Sequence, residues 1–360
     1  MKASVAIVIV TESACTSPTL LVGTDSQNVG GVAFALMLRH VSPPTDEQLD
    51  AARRVVADHL APTPTVSISL RGRAVLAKLE SLQPTGAFKI RGALSAIDAA
   101  RRDDPTGAVI TSSAGNHGLG IAHAANLLGV PATVVVPANA SVAKVKKLLS
   151  YNIELIQFGS SYDDAQTRAL ELADERGIRY ISPFNDANVI AGQSTVFDEM
   201  LAQVPELEHI VVPVGGGGLI SGILLSRDFH GRGDIKVTGV QPKESSAMYH
   251  VLRGVKMADV VHHPTIADGL AGGGDEGAVT NDLIARHNVP LVLVEERDIR
   301  RAVREVAEVN GLVLEGSATA SYAAITANLV DDLTSRIGFI ASGRNISHEL
   351  LIELLQEPLV

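Results

Sequence analysis

The sequence predicts an α/β protein of two domains with mostly parallel sheets. Short β-branched runs alternate with helical patterns along most of the chain, an order that places parallel strands beneath covering helices. The strand runs form two groups, one before and one after a helical segment at 189–203. A length of 360 residues also exceeds one ordinary core. Residues 108–185 read as a small domain, and 42–107 with 186–360 as a large one. Ligands are expected in the cleft between them.

Residues 1–41 read as a poorly ordered extension. Lys2 and the apolar run 6–10 faintly imitate an export signal, but the run is short and Glu12 follows closely, so that reading is set aside. From residue 42 the sequence Ser-Pro-Pro-Thr-Asp-Glu-Gln opens a helix over 49–59, with Thr45 or Asp46 as its cap. Strands are expected at 108–111, 132–136, 154–157, 210–214, 236–240, 291–294 and 338–341. Their helical partners are 87–101, 117–128, 142–150, 162–176, 298–310 and 346–356. No apolar stretch approaches the roughly 20 residues that span a bilayer.

Composition narrows the function. Hydrophobic residues at 46% against 19% charged describe a packed globule, not a disordered chain. A net charge of -10, with no clustered basic stripe, argues against nucleic acid or an anionic membrane as partner. The single cysteine, Cys15, leaves no intramolecular disulfide framework and no cysteine-ligated metal cluster, which fits a reducing cytoplasm.

Val211-Val212-Pro213-Val214, then Gly215-Gly216-Gly217-Gly218, then Leu219-Ile220-Ser221-Gly222 reads as strand, glycine run and helix. Successive glycines let backbone N–H groups converge, and the helix start adds its positive end, so the segment suits a phosphate. A plain tight turn rarely needs four consecutive glycines. Neither common nucleotide motif fits. The dinucleotide spacing fails because Ile220 or Ser221 takes the third glycine position, and no Gly-Lys-Ser/Thr follows. A small cofactor with one phosphate monoester remains.

Lys89, in Leu82-Gln83-Pro84-Thr85-Gly86-Ala87-Phe88-Lys89-Ile90-Arg91-Gly92-Ala93, lies at a predicted helix start. The positive helix end and the apolar Phe88 both disfavour an ammonium, which would free the amine to take a cofactor aldehyde. By itself this is a weak signal, because most lysines at helix starts are surface charges.

The segment around Lys89 closely resembles the lysine motif of the threonine dehydratase and serine racemase family, pyridoxal phosphate enzymes of fold type II. Ser112-Ser113-Ala114-Gly115-Asn116-His117-Gly118 resembles that family's asparagine loop. The resemblance implies that Ser112, Ser113, Ala114, Gly115 and His117 surround the substrate carboxylate and that Asn116 meets the cofactor's phenolic oxygen. Gly215, Gly216, Gly217, Gly218 and Leu219 match the family's phosphate loop, Phe88 flanks the cofactor, and Ser342-Gly343-Arg344-Asn345 resembles the usual Ser-Gly-Gly-Asn, whose serine faces the pyridine nitrogen. Arg344 departs from that pattern by replacing a glycine. Smaller matches are Thr265 to Leu270, Ile190-Ala191-Gly192-Gln193 and Glu315, a family glutamate near the active site. The likeness runs from about Ser42 to Asn345, and four separated motifs in register make it specific.

The resemblance implies a dehydratase that converts L-threonine or L-serine to a 2-oxo acid and ammonia, as a homo-oligomer. Lys89 would be displaced from the cofactor by the substrate and would then remove the Cα proton, with the cofactor phosphate protonating the leaving hydroxyl. Ser342, a weak partner for the pyridine nitrogen, would favour prompt elimination. Only residues 346–360 follow the serine motif, so an effector-binding domain is not expected. Gln241-Pro242 and Ala247 stand where racemase-like relatives carry carboxylates for a divalent cation, and the adjacent His262 and His263 point apart, so no metal is expected. Other readings stay open: a dehydratase for hydroxyaspartate or phenylserine, an amino-acid racemase, or a non-catalytic pyridoxal phosphate sensor.

Overall fold

The structure is a computed structural model that describes Ile7–Ile9 and residues 41–357, apart from 273, 276, 334 and 335. In chain order its strands are β1 (Ile7–Ile9), β2 (Thr65–Leu70), β3 (Arg73–Lys78), β4 (Val109–Ser112), β5 (Ala132–Val136), β6 (Glu154–Gln157), β7 (Arg179–Tyr180), β8 (His209–Pro213), β9 (Lys236–Pro242), β10 (Leu291–Val294) and β11 (Ile337–Ile340). They build two sheets. The first runs β1-β6-β5-β4-β7 and is parallel throughout. The second runs β10-β9-β8-β11-β3-β2 and is parallel except for the β2–β3 hairpin.

Helices cover both faces of each sheet, which is why the central strands read as unbroken apolar runs. Along each strand alternate residues serve opposite layers. Val109, Val134, Val136 and Leu155 pack with Ile90, Leu94, Ile97 and Ile121, whereas Ile110, Val135 and Ile156 face Ala165, Ala169 and Leu172. In the second sheet Val211 and Phe339 join one core while Ile210, Val212 and Ile340 join another. Helix ends obey local chemistry. Thr45 caps Asp46–His59 through a reciprocal box with Gln48, and Gly129, Gly177 and Gly311 close three helices in the left-handed conformation.

Three expected strands, 132–136, 154–157 and 291–294, fall on the observed bounds, and the others shift by one or two residues. The differences have physical causes. The β2–β3 hairpin was not expected because its turn is Arg71-Gly72, with φ of 48° and 82°, in place of the usual Asn-Gly or Asp-Gly. The helix Gly316–Thr326 is buried on every side from Gly316 to Ile325 and built largely of Ala, Ser and Thr, so it shows no amphipathic period. The sequence reading also placed no element at Ile7–Ile9, yet this segment adds an edge strand to β6. Residues 1–6 and 10–40 of the expected extension lie outside the described residues, and Val41 packs against Ile190, Val279 and Leu283. Among the described residues no helix is long and apolar enough to cross a membrane.

Candidate active site

Lys89 opens the helix Lys89–Asp103, and its start is anchored from two sides. On one side the 342–344 segment pairs with 86–88: the Phe88 N–H donates to the Ser342 carbonyl at 3.0 Å and the Arg344 N–H to the Gly86 carbonyl at 2.9 Å. Two motifs far apart in the chain thus meet. On the other side Arg91 is fully buried and donates to both Glu80 oxygens, at 2.7 and 2.8 Å, and to both Glu199 oxygens, each at 2.7 Å. Lys78 completes this cluster by donating to Glu199 at 2.7 Å and to the Thr63 carbonyl at 2.6 Å. Burial works against the Glu80 charge, but Arg91 overrides it and holds the carboxyl below its ordinary value.

The Lys89 amine has a different environment. It donates to the Pro183 carbonyl at 2.8 Å and lies 5.2 Å from the Phe88 ring centre. Burial lowers its pKa to about 8. The free amine is therefore accessible near neutral pH, as a nucleophile or base requires.

β8 delivers the glycine run. Gly217 caps the helix Gly218–Phe229 at φ 87°, a conformation that favours glycine. A side chain at Gly216 would place its Cβ 2.3 Å from the Phe184 ring, and one at Gly217 would lie 2.9 Å from Thr280. The Thr280 hydroxyl fixes the loop by donating to the Gly216 carbonyl at 2.8 Å. Leu219 is buried in the apolar core, which leaves only its backbone for a ligand. The first-turn N–H groups of the helix have no partners within it, so the loop forms an anion cradle at a positive helix end.

β4 ends at Ser112, and the asparagine loop leads into the helix Asn116–Leu128. The Ser112 hydroxyl lies 3.1 Å from the Tyr180 hydroxyl, and Ser113 accepts the Gly115 N–H at 3.2 Å. His117 is buried, with Nε2 3.3 Å from the Ile181 carbonyl and Nδ1 unpaired. Burial, reinforced by Lys89, lowers its pKa to about 3, so the ring is neutral. Ala114 is partly buried and packs against the apolar core of the first sheet.

Asn116 joins this loop to the second sheet. Its Nδ2 donates to Glu315 Oε1 at 2.7 Å, and its Oδ1 accepts Asn345 Nδ2 at 2.7 Å. Glu315 also accepts the Asn345 N–H at 2.8 Å. Burial, helped by the Asp268 charge, raises the Glu315 carboxyl to about 7, against the pull of Asn116 and the Asn345 N–H. Ser342 is buried beside Phe88, whereas Arg344 is exposed, so the residue that departs from the usual glycine sits in solvent. Gln241 is used internally, donating to the Val214 carbonyl at 3.2 Å and accepting the Tyr249 N–H at 2.7 Å. Among the described residues no group of three or more His, Cys, Asp or Glu is placed to hold a metal ion.

A family model described as pyridoxal-phosphate dependent enzyme matches residues 56–343. This chain belongs to that family. Its fold is type II, with mainly parallel sheets. It is 35% identical over 296 residues to an L-threonine ammonia-lyase of Thermotoga maritima, covering 82% of this chain and 73% of that protein. It is 32% identical to a serine racemase of Oryza sativa subsp. indica, over 84% of this chain and 91% of the relative. Among solved structures, that of maize serine racemase superposes with a TM-score of 0.77 at 29% identity, covering 87% of this chain and 97% of that one.

The residues present fit the cofactor of this pyridoxal-phosphate dependent enzyme. The cradle at Gly216 excludes a Cβ, and Lys89 offers an amine whose charge is weakened by burial. Sequence reasoning missed Pro183, Phe184 and Thr280: the Pro183 carbonyl accepts from Lys89, Phe184 lies against Gly216, and Thr280 donates to the Gly216 carbonyl. The available signal was the Ser182-Pro183-Phe184 break between β7 and the Asp186 helix cap.

Proposed function

We infer that this pyridoxal-phosphate dependent enzyme is an ammonia-lyase that converts L-threonine, L-serine or both to a 2-oxo acid and ammonia. The observation that carries the reading is the Lys89 amine, lowered to about 8 by burial and hydrogen-bonded to a neutral carbonyl, in a chain of this family. Identity of 35% to an L-threonine ammonia-lyase supports the reaction class. Pyridoxal phosphate, when bound, supplies an aldehyde for an amino group and a ring that accepts the electron pair left at Cα.

The chain's own residues do the rest. Lys89 holds the cofactor and moves the Cα proton, and the backbone of Gly215 to Leu219 holds its phosphate. Phe88, Asn116 and Ser342 place its ring. Ser112, Ser113, Ala114, Gly115 and His117 receive the substrate carboxylate, and neutral His117 keeps a second cation out of that loop. The water lost at Cβ is returned when the product imine hydrolyses, so the net change is release of ammonia. Residues 108–185 form the small domain of this arrangement, with the large domain built from 42–107 and 186–360. The protein works as a homo-oligomer in the cytoplasm, a location that its single cysteine supports.

Racemisation is the second reading, favoured by the similarity to a serine racemase. It needs an acid or base on each face of the cofactor, and Ala114, which stands where serine racemases carry a serine, offers a methyl group. A coupled 2-oxo acid assay with L-threonine and L-serine, followed by chiral chromatography of the serine reaction, tests both. Oxo acid with little D-serine is expected. D-serine formed as fast as pyruvate would establish the racemase, and turnover of hydroxyaspartate or phenylserine alone would move the substrate assignment. Lys89→Ala should abolish turnover, and borohydride reduction should leave the pyridoxyl label on Lys89 of the parent enzyme.

A further inference from the structure

A series of directed hydrogen bonds crosses the site from one charge to another. Lys147 Nζ donates to Asn345 Oδ1 at 3.2 Å, Asn345 Nδ2 donates to Asn116 Oδ1 at 2.7 Å, and Asn116 Nδ2 donates to Glu315 Oε1 at 2.7 Å. The second Asn345 N–H goes to the Thr85 carbonyl at 2.9 Å. An ammonium can only donate and an ionised carboxylate can only accept, whereas an amide can rotate and exchange its two roles. With a donor-only ammonium at one end and, above about pH 7 where Glu315 is ionised, an acceptor-only carboxylate at the other, whose Oε1 takes Asn116 and Oε2 the Asn345 N–H, neither asparagine can turn over. A flipped Asn345 would point N–H at the Lys147 ammonium and oxygen at the Thr85 carbonyl. A flipped Asn116 would set oxygen against the Glu315 carboxylate and N–H against the Asn345 amide.

We propose that Glu315 and Lys147 are positioning residues, the two ends of a polarised series that fixes which way the Asn116 amide faces. The series uses Asn116 Oδ1 and one of its two N–H groups, so the amide offers its other N–H to a cofactor and keeps its oxygen engaged. The inference rests on the reading of Asn116 as a cofactor contact. Its consequence follows from donor arithmetic: the phenolic oxygen of pyridoxal phosphate, an acceptor when ionised, meets a donor, and an unfixed amide would present an oxygen to it part of the time. Sequence matching supplies Asn116 and Glu315 as separate site residues. Their directed coupling, and the participation of a lysine on the helix Val142–Leu148, come from the structure.

The test compares holoenzymes by their visible absorption spectrum, which reports the protonation of the cofactor's phenolic oxygen, and by cofactor affinity after resolution and titration with pyridoxal phosphate. Asn116→Ala should redistribute the bands and weaken affinity by about tenfold, the worth of one charge-assisted hydrogen bond. Glu315→Gln, which replaces an acceptor-only end with a group that can donate or accept, should shift the bands in the same direction and weaken affinity by about threefold to tenfold. Lys147→Met should give about a twofold loss, and Lys147→Arg should restore the parent spectrum. If Glu315→Gln does not fold, Asn345→Asp serves in its place, since it sets an acceptor against Asn116 Oδ1 and should produce the same spectral shift. Parent-like spectra and affinities in Glu315→Gln, or in Asn345→Asp where that variant stands in, and in Lys147→Met, with Asn116→Ala altered, would overturn the series. An unaltered Asn116→Ala would instead overturn the reading of Asn116 as a cofactor contact, and the series with it.

Discussion

Two polar networks flank Lys89, and they differ in how completely they close. The Arg91 cluster is balanced: two cations meet two carboxylates, and Thr63 and Thr195 take further contacts. The Asn116 network, in contrast, ends on a carboxyl raised to about 7, and nearby His117 has an unpaired nitrogen. A charge-balanced network holds structure together, because its cations and carboxylates are spent on one another. One with unused capacity and a displaced pKa has something left for a ligand.

Breaking the closed cluster should give the largest change in stability. Arg91→Met leaves Glu80 and Glu199 with only Lys78 as a cation, and the loss of one partner from a buried pair costs about 3–5 kcal/mol. Urea unfolding of the cofactor-free protein should show that loss. A midpoint unchanged from the parent would mean that water compensates the carboxylates and that the cluster does not hold the start of the Lys89 helix.

The open network should be read through pH. A carboxyl raised to about 7 when folded, from about 4.3 when unfolded, binds its proton more tightly in the native state. Stability from this group is therefore full below about pH 4 and is lost as pH rises to about 7. The size of that loss is up to about 4 kcal/mol. In cofactor-free protein Glu315→Gln should flatten the stability curve over this interval, and a slope as steep as the parent's would assign the titration to another group.

The smallest expected effect separates the glycine cradle from both networks. Gly216→Ala forces a Cβ against Phe184 and should cost about 1–3 kcal/mol by overpacking. Pairing it with Phe184→Leu should recover part of that stability. Cofactor affinity measured on the same proteins should fall in the single variant and recover in the pair. Full affinity in Gly216→Ala would show that the loop relaxes without cost.

What the sequence determined was local. The period of the strands, the capping of Asp46–His59 and the strand–glycine–helix order at 209–229 follow from neighbouring residues, and a ligand loop must carry its own backbone chemistry. Lys89, Asn116 and Gly215 to Leu219 were therefore legible as motifs. The tertiary structure alone decided what those motifs touch. Pro183 accepts from Lys89, Phe184 closes on Gly216, and Lys147 reaches Asn345, contacts between segments whose spacing carries no periodic signal. The all-buried helix Gly316–Thr326 was hidden for a related reason, since a segment enclosed on every side needs no polar face to mark its period. The same holds for pKa. Residue type sets the reference value of Lys89 and Glu315, but burial displaces them to about 8 and about 7, and burial exists only once the two sheets and their helices have packed.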